Sequence, residues 1–477
     1  KASQRKKDLI LCQRNPANSK LVDYYNNDLS DEKNRVIKKA LSAKDYFLLN
    51  GPPGTGKTSI FIKELLRELY KNKEVNILLL AYTNRAVDEL CSAVNGSKIV
   101  NKSQRNFIRI GNPISCSEDY KENLLSSIIE SETAIIEKKG GKFSRELLSG
   151  IIGEQNVFVS TMSSIAGKTD VFKLKKFDLV IIDEASQILE PQMLSILSHV
   201  DKFVLVGDHK QLPAIVLQDS INSKVDSSDL NGIGLMNRNN SLFERLYTFC
   251  ELNKLDHAFD MLTYQGRMHK EIAKFPNTNF YNSDLKQAYD IPNLNGDGKH
   301  KLSRQVVALD FLLNPSNSIG EKLIRNRLMF FDCDTGKTSA TKSSIMEADL
   351  VAKIVKEYRH LKSEKSIGII TPFRNQIALI KQKLEEANIS NFESITVDTV
   401  ERYQGSQRDI IILSFAINSS FQLDSVINLN NDGTVDRKLN VALTRAREQM
   451  ILVGNKSILS LNPMYKSLLD YVISESN

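Results

Sequence analysis

The octapeptide Gly51-Pro52-Pro53-Gly54-Thr55-Gly56-Lys57-Thr58 is the most informative stretch of the sequence. It matches the pattern GxxxxGK[ST], follows the apolar run FLLN at 47–50 and precedes an amphipathic stretch at 59–70. A strand, a glycine-rich turn and a helix in this order bring backbone N–H groups and a helix N-terminus around phosphate oxygens. In such a loop Lys57 contacts the outer phosphates, and the Thr58 hydroxyl binds Mg²⁺. The sequence therefore predicts a nucleotide-binding loop in an α/β fold.

Short apolar runs recur along the chain, and each leads into a polar or glycine-bearing turn. Such runs are typical of buried parallel strands, and the amphipathic stretches between them predict helices. In the first half the runs are 47–50, 77–81, 157–160, 179–182 and 203–206. In the second half they are 367–371, 394–397, 410–415 and 450–454, with helical patterns at 347–359 and 374–386. This alternation predicts two doubly wound α/β domains.

The polar segments between the runs suggest the domain boundaries. Residues 96–155 contain no convincing buried strand and a charge-mixed helical pattern, which predicts a helical insertion. Residues 217–240 are rich in Ser, Asn, Asp and Gly, which is typical of a linker. We expect an N-terminal stub at 1–30, a first domain at 31–216, this linker, and a second domain at 241–477. The polar stretch 286–322 is predicted to be an irregular excursion of the second domain.

Composition narrows the class of protein. A chain of 477 residues is too long for one core, and 41% hydrophobic with 25% charged residues is close to the globular average. No apolar run approaches the length of a membrane span, so we expect no membrane partner. The five cysteines form no CxxC pair, which argues against a zinc or disulfide framework and predicts an intracellular setting, in the cytoplasm or nucleoid or in the nucleus.

The net charge of +7 is compatible with a polyanionic partner, but such an excess is also common in proteins without one. The basic cluster at Lys1, Arg5, Lys6 and Lys7 could bind a phosphate backbone. We favour a solvated surface as the explanation of this cluster.

Two carboxylates follow the apolar run at 179–182. Asp183 and Glu184 would project from the carboxyl edge of a parallel sheet, where open α/β sheets bind ligands. Asp183 would hold Mg²⁺, and Glu184 would orient and deprotonate an attacking water. An acidic pair after a strand is also typical of a helix N-cap. The presence of Lys57 in the same domain favours the catalytic interpretation.

Seven segments occur in a characteristic order along the chain. They are LLLAYTNRAVDEL (78–90), IIDEASQILEP (181–191), GDHKQLPA (207–214), QGRMHKEIAKFP (265–276), GIITPFRNQ (368–376), TVDTVERYQGSQRDIIILSF (396–415) and LNVALTRAREQMILVGN (439–455). These segments resemble the ordered motifs of superfamily 1 helicases, and more narrowly the branch that contains the nonsense-mediated-decay RNA helicase and the nuclease-helicase that trims Okazaki flaps. The resemblance covers about residues 29 to 473 and implies two RecA-like P-loop domains.

The resemblance implies roles for three catalytic side chains. Gln211 would sense the γ-phosphate and couple hydrolysis to domain movement, although a polar loop residue is the alternative. Arg267 and Arg445 would act from the second domain as arginine fingers, because a planar guanidinium spreads charge over the transferring phosphoryl group. Arg447 could instead be structural. The resemblance thus places hydrolysis in a cleft between the two domains.

The resemblance also implies a nucleic-acid track across both domains. Small hydroxyl side chains and backbone N–H groups there would bind phosphate oxygens without reading the sequence. Taken singly, each is also typical of a helix cap or turn. The implied residues are Thr83, Asn84, Ser160, Thr161, Thr371, Pro372 and Thr399.

Three positions depart from the family pattern, all on the base and sugar side of the nucleotide. Lys33 stands where the family has an adenine-reading glutamine, and an ammonium only donates. Gly266 replaces a base-stacking tyrosine, and Gln407 replaces the acidic residue that meets the ribose. Tyr264 could stack on the base in place of the missing tyrosine, or it could be a core residue. We therefore expect intact hydrolysis with relaxed or weakened selection of the base.

The prediction for the chain is an ATP- and Mg²⁺-dependent helicase that moves along single-stranded DNA, with 5′-to-3′ polarity implied by the resemblance. One alternative is an RNA helicase of the same branch, since phosphate contacts do not discriminate unless a group meets the 2′-OH. The other is a nucleic-acid-binding scaffold switched by nucleotide. The complete set of predicted catalytic and metal-binding residues argues against that scaffold: Asp183, Glu184, Gln211, Arg267 and Arg445. Family members carry a β-barrel before the loop, so we also expect an upstream accessory domain or nuclease in the full-length protein.

Overall fold

The computed structural model describes residues 3–19, 21–71, 75–97, 105–142, 144–216, 218, 220–288, 309–334, 341–430 and 432–475. The chain divides into two compact units. Unit 1 comprises Lys1–His209 and Pro213–Leu262, and unit 2 comprises Lys210–Leu212 and Thr263–Asn477. Each unit is built on a parallel sheet, which confirms the predicted fold class of two α/β, RecA-like domains.

Unit 1 contains a seven-stranded parallel sheet with the strand order β3-β4-β2-β5-β6-β1-β7. All five apolar runs predicted in this half are strands, because helices cover both faces and bury every side chain in a run such as ILLLA. The strands are β1 Tyr46–Asn50, β2 Ile77–Ala81, β3 Ile108–Ile110, β4 Val157–Thr161, β5 Phe177–Ile182, β6 Val200–Gly207 and β7 Phe259–Met261.

The helices of unit 1 pack on the two faces of this sheet. Side chains alternate along each strand, so Leu48 and Leu80 enter one core while Leu49 and Leu79 enter the other. The helices are α1 Gln4–Ile10, α2 Asp31–Ser42, α3 Lys63–Leu69, α4 Asn84–Gly96, α5 Leu125–Lys138, α6 Arg145–Glu154, α7 Met162–Ala166, α8 Val171–Leu174, α9 Glu190–Leu197, α10 Ser220–Ser223, α11 Ser228–Gly232 and α12 Leu242–Leu252.

The segment predicted as a purely helical insertion also contains a strand. Helices α5 and α6 lie within residues 96–155, but β3 precedes them and pairs in parallel with β4 at the sheet edge. The expectation of no buried strand before Val157 was wrong. Arg109 in the middle of β3 hides the pattern: its side chain is buried and forms an ion pair with Asp88 of α4.

Unit 1 extends further along the chain than the predicted linker at 217–240. Leu242, Phe243 and Leu246 of α12 are buried in the core of unit 1, and β7 pairs with β1. Residues 241–262 therefore belong with the first sheet, and unit 2 resumes at Thr263. At the other end, Leu9 of α1 packs into the same core, so residues 3–19 are an integral part of unit 1.

Unit 2 contains a five-stranded parallel sheet with the order β10-β14-β13-β11-β12, and a separate pair formed by β8 and β9. The four runs predicted in this half all contain strands, while β10 was not predicted. Most of the predicted excursion at 286–322 lies outside the described residues. The strands are β8 Tyr264–Gln265, β9 Lys286–Gln287, β10 Leu328–Asp332, β11 Ile367–Ile370, β12 Thr396–Asp398, β13 Arg408–Ser414 and β14 Ala446–Gly454.

The two helical patterns predicted for the second half are α15 and α16. Their apolar faces cover the sheet through buried residues such as Val351, Val355 and Ile380. The helices of unit 2 are α13 Lys270–Phe280, α14 Ser318–Arg325, α15 Ile345–His360, α16 Arg374–Glu386, α17 Val400–Tyr403, α18 Ser420–Val426, α19 Arg437–Leu443, α20 Lys456–Leu459 and α21 Pro463–Glu475. Across the described ranges of both units, no helix is long and apolar enough to cross a membrane.

Candidate functional site

The glycine-rich loop joins the end of β1 to a π-helical turn at Lys57–Ile62, which continues into α3. Gly54 and Gly56 adopt φ angles of 77° and 84°, a region that glycine enters without steric cost. The Thr55 hydroxyl donates to the Pro52 carbonyl at 2.8 Å and closes the turn. A Cβ atom at Gly51 would overlap the Lys57 side chain. The loop is therefore closed over its own lysine, as a phosphate-binding turn requires.

The Thr58 hydroxyl meets Asp183 at the end of β5. Its Oγ1 donates to Asp183 Oδ2 at 2.5 Å, and Asp183 is only 2% exposed. Burial first, and then the neighbouring Glu184, raise the pKa of Asp183, while nearby Lys57 opposes the rise. A hydroxyl and a carboxylate are the oxygen ligands that Mg²⁺ prefers, and a bound cation would favour the ionised carboxylate. The donor set thus fits the predicted metal.

Glu184 has an unusual backbone for a residue other than glycine, with φ 53° and ψ 37°. Its N–H donates to Asp183 Oδ1 at 2.9 Å, and Gln187 Nε2 donates to its Oε2 at 3.0 Å. Its side chain makes no capping hydrogen bond to the turn Ala185–Gln187 that follows. The N-cap alternative therefore does not describe this pair. Left-handed backbone at a polar residue is a form of strain that often marks functional sites.

Within unit 2, the three residues expected to act on the γ-phosphate belong to one hydrogen-bond network. Arg445 Nη2 donates to Gln211 Oε1 at 2.8 Å, and Arg445 Nε donates to the Val441 carbonyl at 3.0 Å. Arg267 Nη1 donates to the carbonyl of Thr444 at 3.3 Å. Arg445 is only 2% exposed. The structure thus brings together residues that are more than 170 positions apart in the sequence, counting from Arg267 to Thr444.

Arg447 has a different environment from Arg445. Its Nη1 forms an ion pair with Asp409 Oδ1 of β13 at 3.3 Å, and its carbonyl accepts from the His269 N–H at 2.8 Å. These contacts support the structural alternative for Arg447.

Gln265 is a site residue that the sequence did not single out. It is fully buried, and its Oε1 accepts from the N–H groups of Arg267 at 3.0 Å and Met268 at 2.9 Å. Its Nε2 donates to Gln287 Oε1 at 2.6 Å. Gln265 therefore fixes the backbone that carries Arg267. Its sequence signal is its place at the start of the segment QGRMHKEIAKFP (265–276), which does not by itself show what the side chain contacts.

The residues predicted to lie on the base and sugar side of the nucleotide belong to different parts of the fold. Lys33 on α2 is 8% exposed, and burial lowers the pKa of its ammonium despite nearby Glu32. Gln407 is half-buried, and its carbonyl accepts from Arg408 Nη1 at 2.9 Å. Tyr264 is half-buried, with Lys286 Nζ 5.5 Å from its ring centroid. The ring of Tyr264 thus contacts a cation in unit 2 and is not a core tyrosine.

The predicted track residues of unit 1 lie after β2 and at the end of β4. Thr83 caps α4 by accepting from the Ala86 N–H at 3.2 Å, and Asn84 is the first residue of that helix. Thr161 caps α7 by accepting from Ser164 N at 3.1 Å. Ser160 is fully buried and donates to the Ile110 carbonyl at 2.9 Å. These hydroxyls hold the strand ends in place, which is the alternative role weighed above.

The predicted track residues of unit 2 lie after β11 and β12. Thr371 is fully buried, and among the described residues its hydroxyl has no hydrogen-bond partner. Pro372 follows it and is half-buried. Thr399 occupies the N-cap position of α17, and its N–H donates to Asp398 Oδ1 at 2.8 Å. Both sets therefore lie at carboxyl edges of parallel sheets.

Comparison with known proteins identifies the family. Two family models, each described as an AAA domain, match residues 28–149 with 121–219, and residues 238–457. The DNA replication ATP-dependent helicase/nuclease DNA2 of Bos taurus is 32% identical over an alignment 509 residues long, which covers 100% of this chain and 43% of the relative. Regulator of nonsense transcripts 1 of Dictyostelium discoideum is 29% identical over 93% of this chain and 32% of its own length.

The chain thus spans less than half the length of these two relatives. Among solved structures, an arterivirus helicase, nonstructural protein 10, aligns with 88% of this chain and 62% of its own at 11% identity and a TM-score of 0.39. The fold assignment rests on the strand order described above and not on that likeness.

Two parallel sheets, a glycine-rich phosphate loop and a paired carboxylate define the class of P-loop proteins with two RecA-like domains. Within that class, the chain belongs to the superfamily 1 helicases, in the branch that includes the DNA2 nuclease-helicases and the nonsense-transcript regulators.

Proposed function

We propose that this chain is an ATP-dependent helicase core that hydrolyses ATP with Mg²⁺, moves along single-stranded DNA in the 5′-to-3′ direction and displaces the complementary strand. The observation that carries the proposal is the 2.5 Å contact between the Thr58 hydroxyl and Asp183, with Glu184 directly after it. That arrangement supplies metal ligands and a base beside a phosphate loop, which a binding-only protein does not need.

Unit 1 would bind the triphosphate and prepare the water. The loop N–H groups and Lys57 would contact phosphate oxygens, and Thr58 and Asp183 would hold Mg²⁺. The ion, when bound, would neutralise charge on the outer phosphates. Gln187 already holds Glu184 through Oε2. Glu184 Oε1 is therefore the atom that we expect to accept the proton of the attacking water.

Unit 2 would supply Gln211, Arg267 and Arg445 to the transferring phosphoryl group. Guanidinium groups stabilise charge spread over three equatorial oxygens, and such groups strongly accelerate hydrolysis in related chemistry. The hydrogen bond from Arg445 to Gln211 supports a shared task for these two side chains. Gln407 would approach the ribose, where a neutral amide donates and accepts but adds no charge.

The polymer along which the chain moves could be DNA or RNA, and we favour DNA. The bovine relative named for DNA replication is 32% identical over the whole chain, and the Dictyostelium relative named for nonsense transcripts is 29% identical. The residues proposed for the track are Thr83, Asn84, Ser160, Thr161, Thr371, Pro372 and Thr399. Because they are small, buried or capping groups, we expect their contacts to run mostly through backbone N–H groups to phosphates, with no preference for base sequence.

The test is the steady-state ATPase rate with no polymer, with single-stranded DNA and with single-stranded RNA, each with and without Mg²⁺. We expect Mg²⁺-dependent hydrolysis that single-stranded DNA stimulates, and more strongly than RNA does. Stronger stimulation by RNA would favour the RNA alternative. Binding of nucleotide and polymer without hydrolysis would favour the scaffold alternative and contradict the proposal.

Two lysine variants show whether the hydrolysis comes from the phosphate loop. Lys57→Ala removes the phosphate contact and should abolish hydrolysis. Lys63→Ala makes the same substitution on α3, where the lysine is 36% exposed and lies 3.9 Å from Glu64, and should leave the rate unchanged. Full activity in Lys57→Ala would mean that the measured hydrolysis does not come from this loop.

A further inference from the structure

A three-residue segment after β6 belongs to unit 2, although its flanks belong to unit 1. This segment, Lys210–Leu212, is called the Gln211 segment here. The strand β6 ends at Gly207, and the residues on either side, His209 and Pro213, remain with unit 1. Specific contacts in unit 2 must therefore hold the Gln211 segment.

The backbone of the Gln211 segment is held by a buried asparagine. Asn440 of α19 is fully buried, and its Nδ2 donates to the Lys210 carbonyl at 2.7 Å. The same amide nitrogen donates to the Tyr281 hydroxyl at 3.0 Å. Both protons of one amide are thus used, and both acceptors lie in unit 2. Because an amide is planar, fixing both protons fixes the direction in which the Lys210 carbonyl is bound.

Tyr281 contributes a second contact to the same segment. Its side chain is fully buried directly after α13, and the Lys210 ammonium lies over its ring, 5.5 Å from the centroid. The next residue in the chain, Gln211, accepts the 2.8 Å hydrogen bond from Arg445. Asn440 therefore holds the backbone of the Gln211 segment, Tyr281 contacts the Lys210 side chain and accepts a hydrogen bond from Asn440, and Arg445 holds the Gln211 side chain.

We propose that Asn440 and Tyr281 are positioning residues that hold the Gln211 segment in unit 2 and so set where Gln211 presents its amide. This inference rests on the proposed function, because it assigns a task to residues that act through Gln211. The consequence is that Gln211 follows the conformation of unit 2, although β6 of unit 1 leads into it. Loss of either hydrogen bond should impair hydrolysis at saturating ATP without weakening nucleotide binding, since the phosphate loop is untouched.

The variants are Asn440→Ala, Tyr281→Phe and Gln211→Ala. Tyr281→Phe removes one hydroxyl and keeps the ring beneath Lys210. The matched control is Tyr358→Phe, which removes another buried hydroxyl hydrogen bond in unit 2, from Tyr358 to Gln449 Oε1 at 2.7 Å. All four chains, with the double variant Asn440→Ala/Gln211→Ala, are assayed for kcat and KM of DNA-stimulated ATP hydrolysis and for thermal unfolding.

We expect kcat to fall about tenfold in Asn440→Ala and about threefold in Tyr281→Phe, with KM for ATP within about twofold of wild type, as for the loss of one or two neutral hydrogen bonds. Tyr358→Phe should keep kcat while losing similar thermal stability. The double variant should be no slower than Gln211→Ala alone, because a positioning residue has no effect once its target is gone.

Three results would overturn the inference: a multiplicative loss in the double variant, an equal loss of kcat in Tyr358→Phe, or wild-type kcat in Asn440→Ala. Each of these leaves the proposed function standing if wild type hydrolyses ATP and Gln211→Ala does so more slowly. An inactive wild type removes the proposed function and this inference together.

Discussion

Two side-chain hydrogen bonds, one in each unit, differ in what they leave available to a ligand. In unit 1 the Thr58 hydroxyl and Asp183 lie 2.5 Å apart, and both offer oxygens that a cation could bind. In unit 2 Arg445 and Gln211 lie 2.8 Å apart, and each satisfies the other. Under the proposed function, the first pair would supply two oxygens to Mg²⁺, whereas Arg445 would have to exchange its Gln211 hydrogen bond for one to a phosphate.

This difference suggests a division of labour. Under the proposed function, unit 1 would bind the triphosphate and Mg²⁺, and the arginine of unit 2 would act once its present hydrogen bonds are exchanged. A buried guanidinium held by the Val441 and Ser406 carbonyls as well as Gln211 does not leave that environment without replacement contacts. We therefore expect binding to depend on unit 1 and the rate of hydrolysis to depend on unit 2.

The largest expected effect is in unit 1, from Asp183→Asn. The neutral amide removes the charge that holds Mg²⁺, so kcat should fall by about 10³-fold and excess Mg²⁺ should restore little of it. The measurement is ATPase rate against Mg²⁺ concentration. Asp178→Asn is the control, since that residue lies on the same strand and its side chain accepts from the Asn76 N–H at 2.9 Å. Loss of activity in both variants would point to damage of β5 rather than of a metal site.

The next effect is in unit 2, from Arg445→Ala and Arg445→Lys. Alanine should lower kcat by about 10²-fold to 10³-fold, and lysine should rescue less than about a tenth of the loss, because an ammonium lacks the planar fork of donors. KM for ATP should change by less than about threefold. Arg402→Ala, which removes an exposed arginine of α17, is the control. Full rescue by lysine would show that only a positive charge is needed there.

A pH effect on stability is expected from His269 in unit 2. Burial, followed by Arg327 and Lys270, lowers the pKa of His269 to about 4. In the unfolded chain the value is about 6.5, so the unfolded state takes up a proton first and stability falls as the pH drops from about 6.5 to about 4. His269→Asn should remove about 1–3 kcal/mol of this loss while keeping a capping side chain on α13.

The measurement for His269 is chemical unfolding at pH 7.5, 5.5 and 4.5. His360→Gln, which alters an exposed histidine, is the control. An unchanged pH dependence in His269→Asn would show that the buried imidazole is not the titrating group.

The smallest effect should be on how strongly the site selects one nucleotide base over the others. Lys33, Gly266 and Gln407 all depart from the family pattern, so we expect less than about tenfold preference for ATP over GTP, CTP and UTP in kcat/KM, corresponding to about 1.4 kcal/mol. Lys33→Gln should raise that preference about threefold to tenfold, since an amide both donates and accepts toward a base edge. Lys38→Gln on the same helix is the control. Strong preference for ATP in wild type would show that other residues select the base.

The sequence was most informative where burial is continuous. Runs such as ILLLA at 77–81 predict strands because helices cover both faces of a parallel sheet. The pattern failed at edge strands that contain a charge. In β3 the centre is Arg109, paired with Asp88, and in β7 it is Asp260, paired with Arg35 at 3.0 Å and Lys39 at 2.9 Å. The ion pairs that make these charges tolerable join distant parts of the chain and leave no local pattern.

The same limit applies to the site. The phosphate loop and Asp183 follow from local motifs, because strand, turn and helix place them together wherever the chain folds. Local motifs do not predict that Gln211 belongs to unit 2, since the contacts of its segment come from Asn440 and Tyr281, which are distant from Gln211 in the sequence. The predicted roles of the arginines and of the track residues remain predictions, because no local contact tests them.

The division of labour between the units is tested most directly by nucleotide affinity with and without Mg²⁺ in Asp183→Asn and Arg445→Ala, measured side by side with a fluorescent ATP analogue. Arg445→Ala should bind within about threefold of wild type and keep the full gain in affinity from Mg²⁺, whereas Asp183→Asn should lose that gain by at least about tenfold. Equal losses in the two variants, or a loss in Arg445→Ala alone, would contradict it.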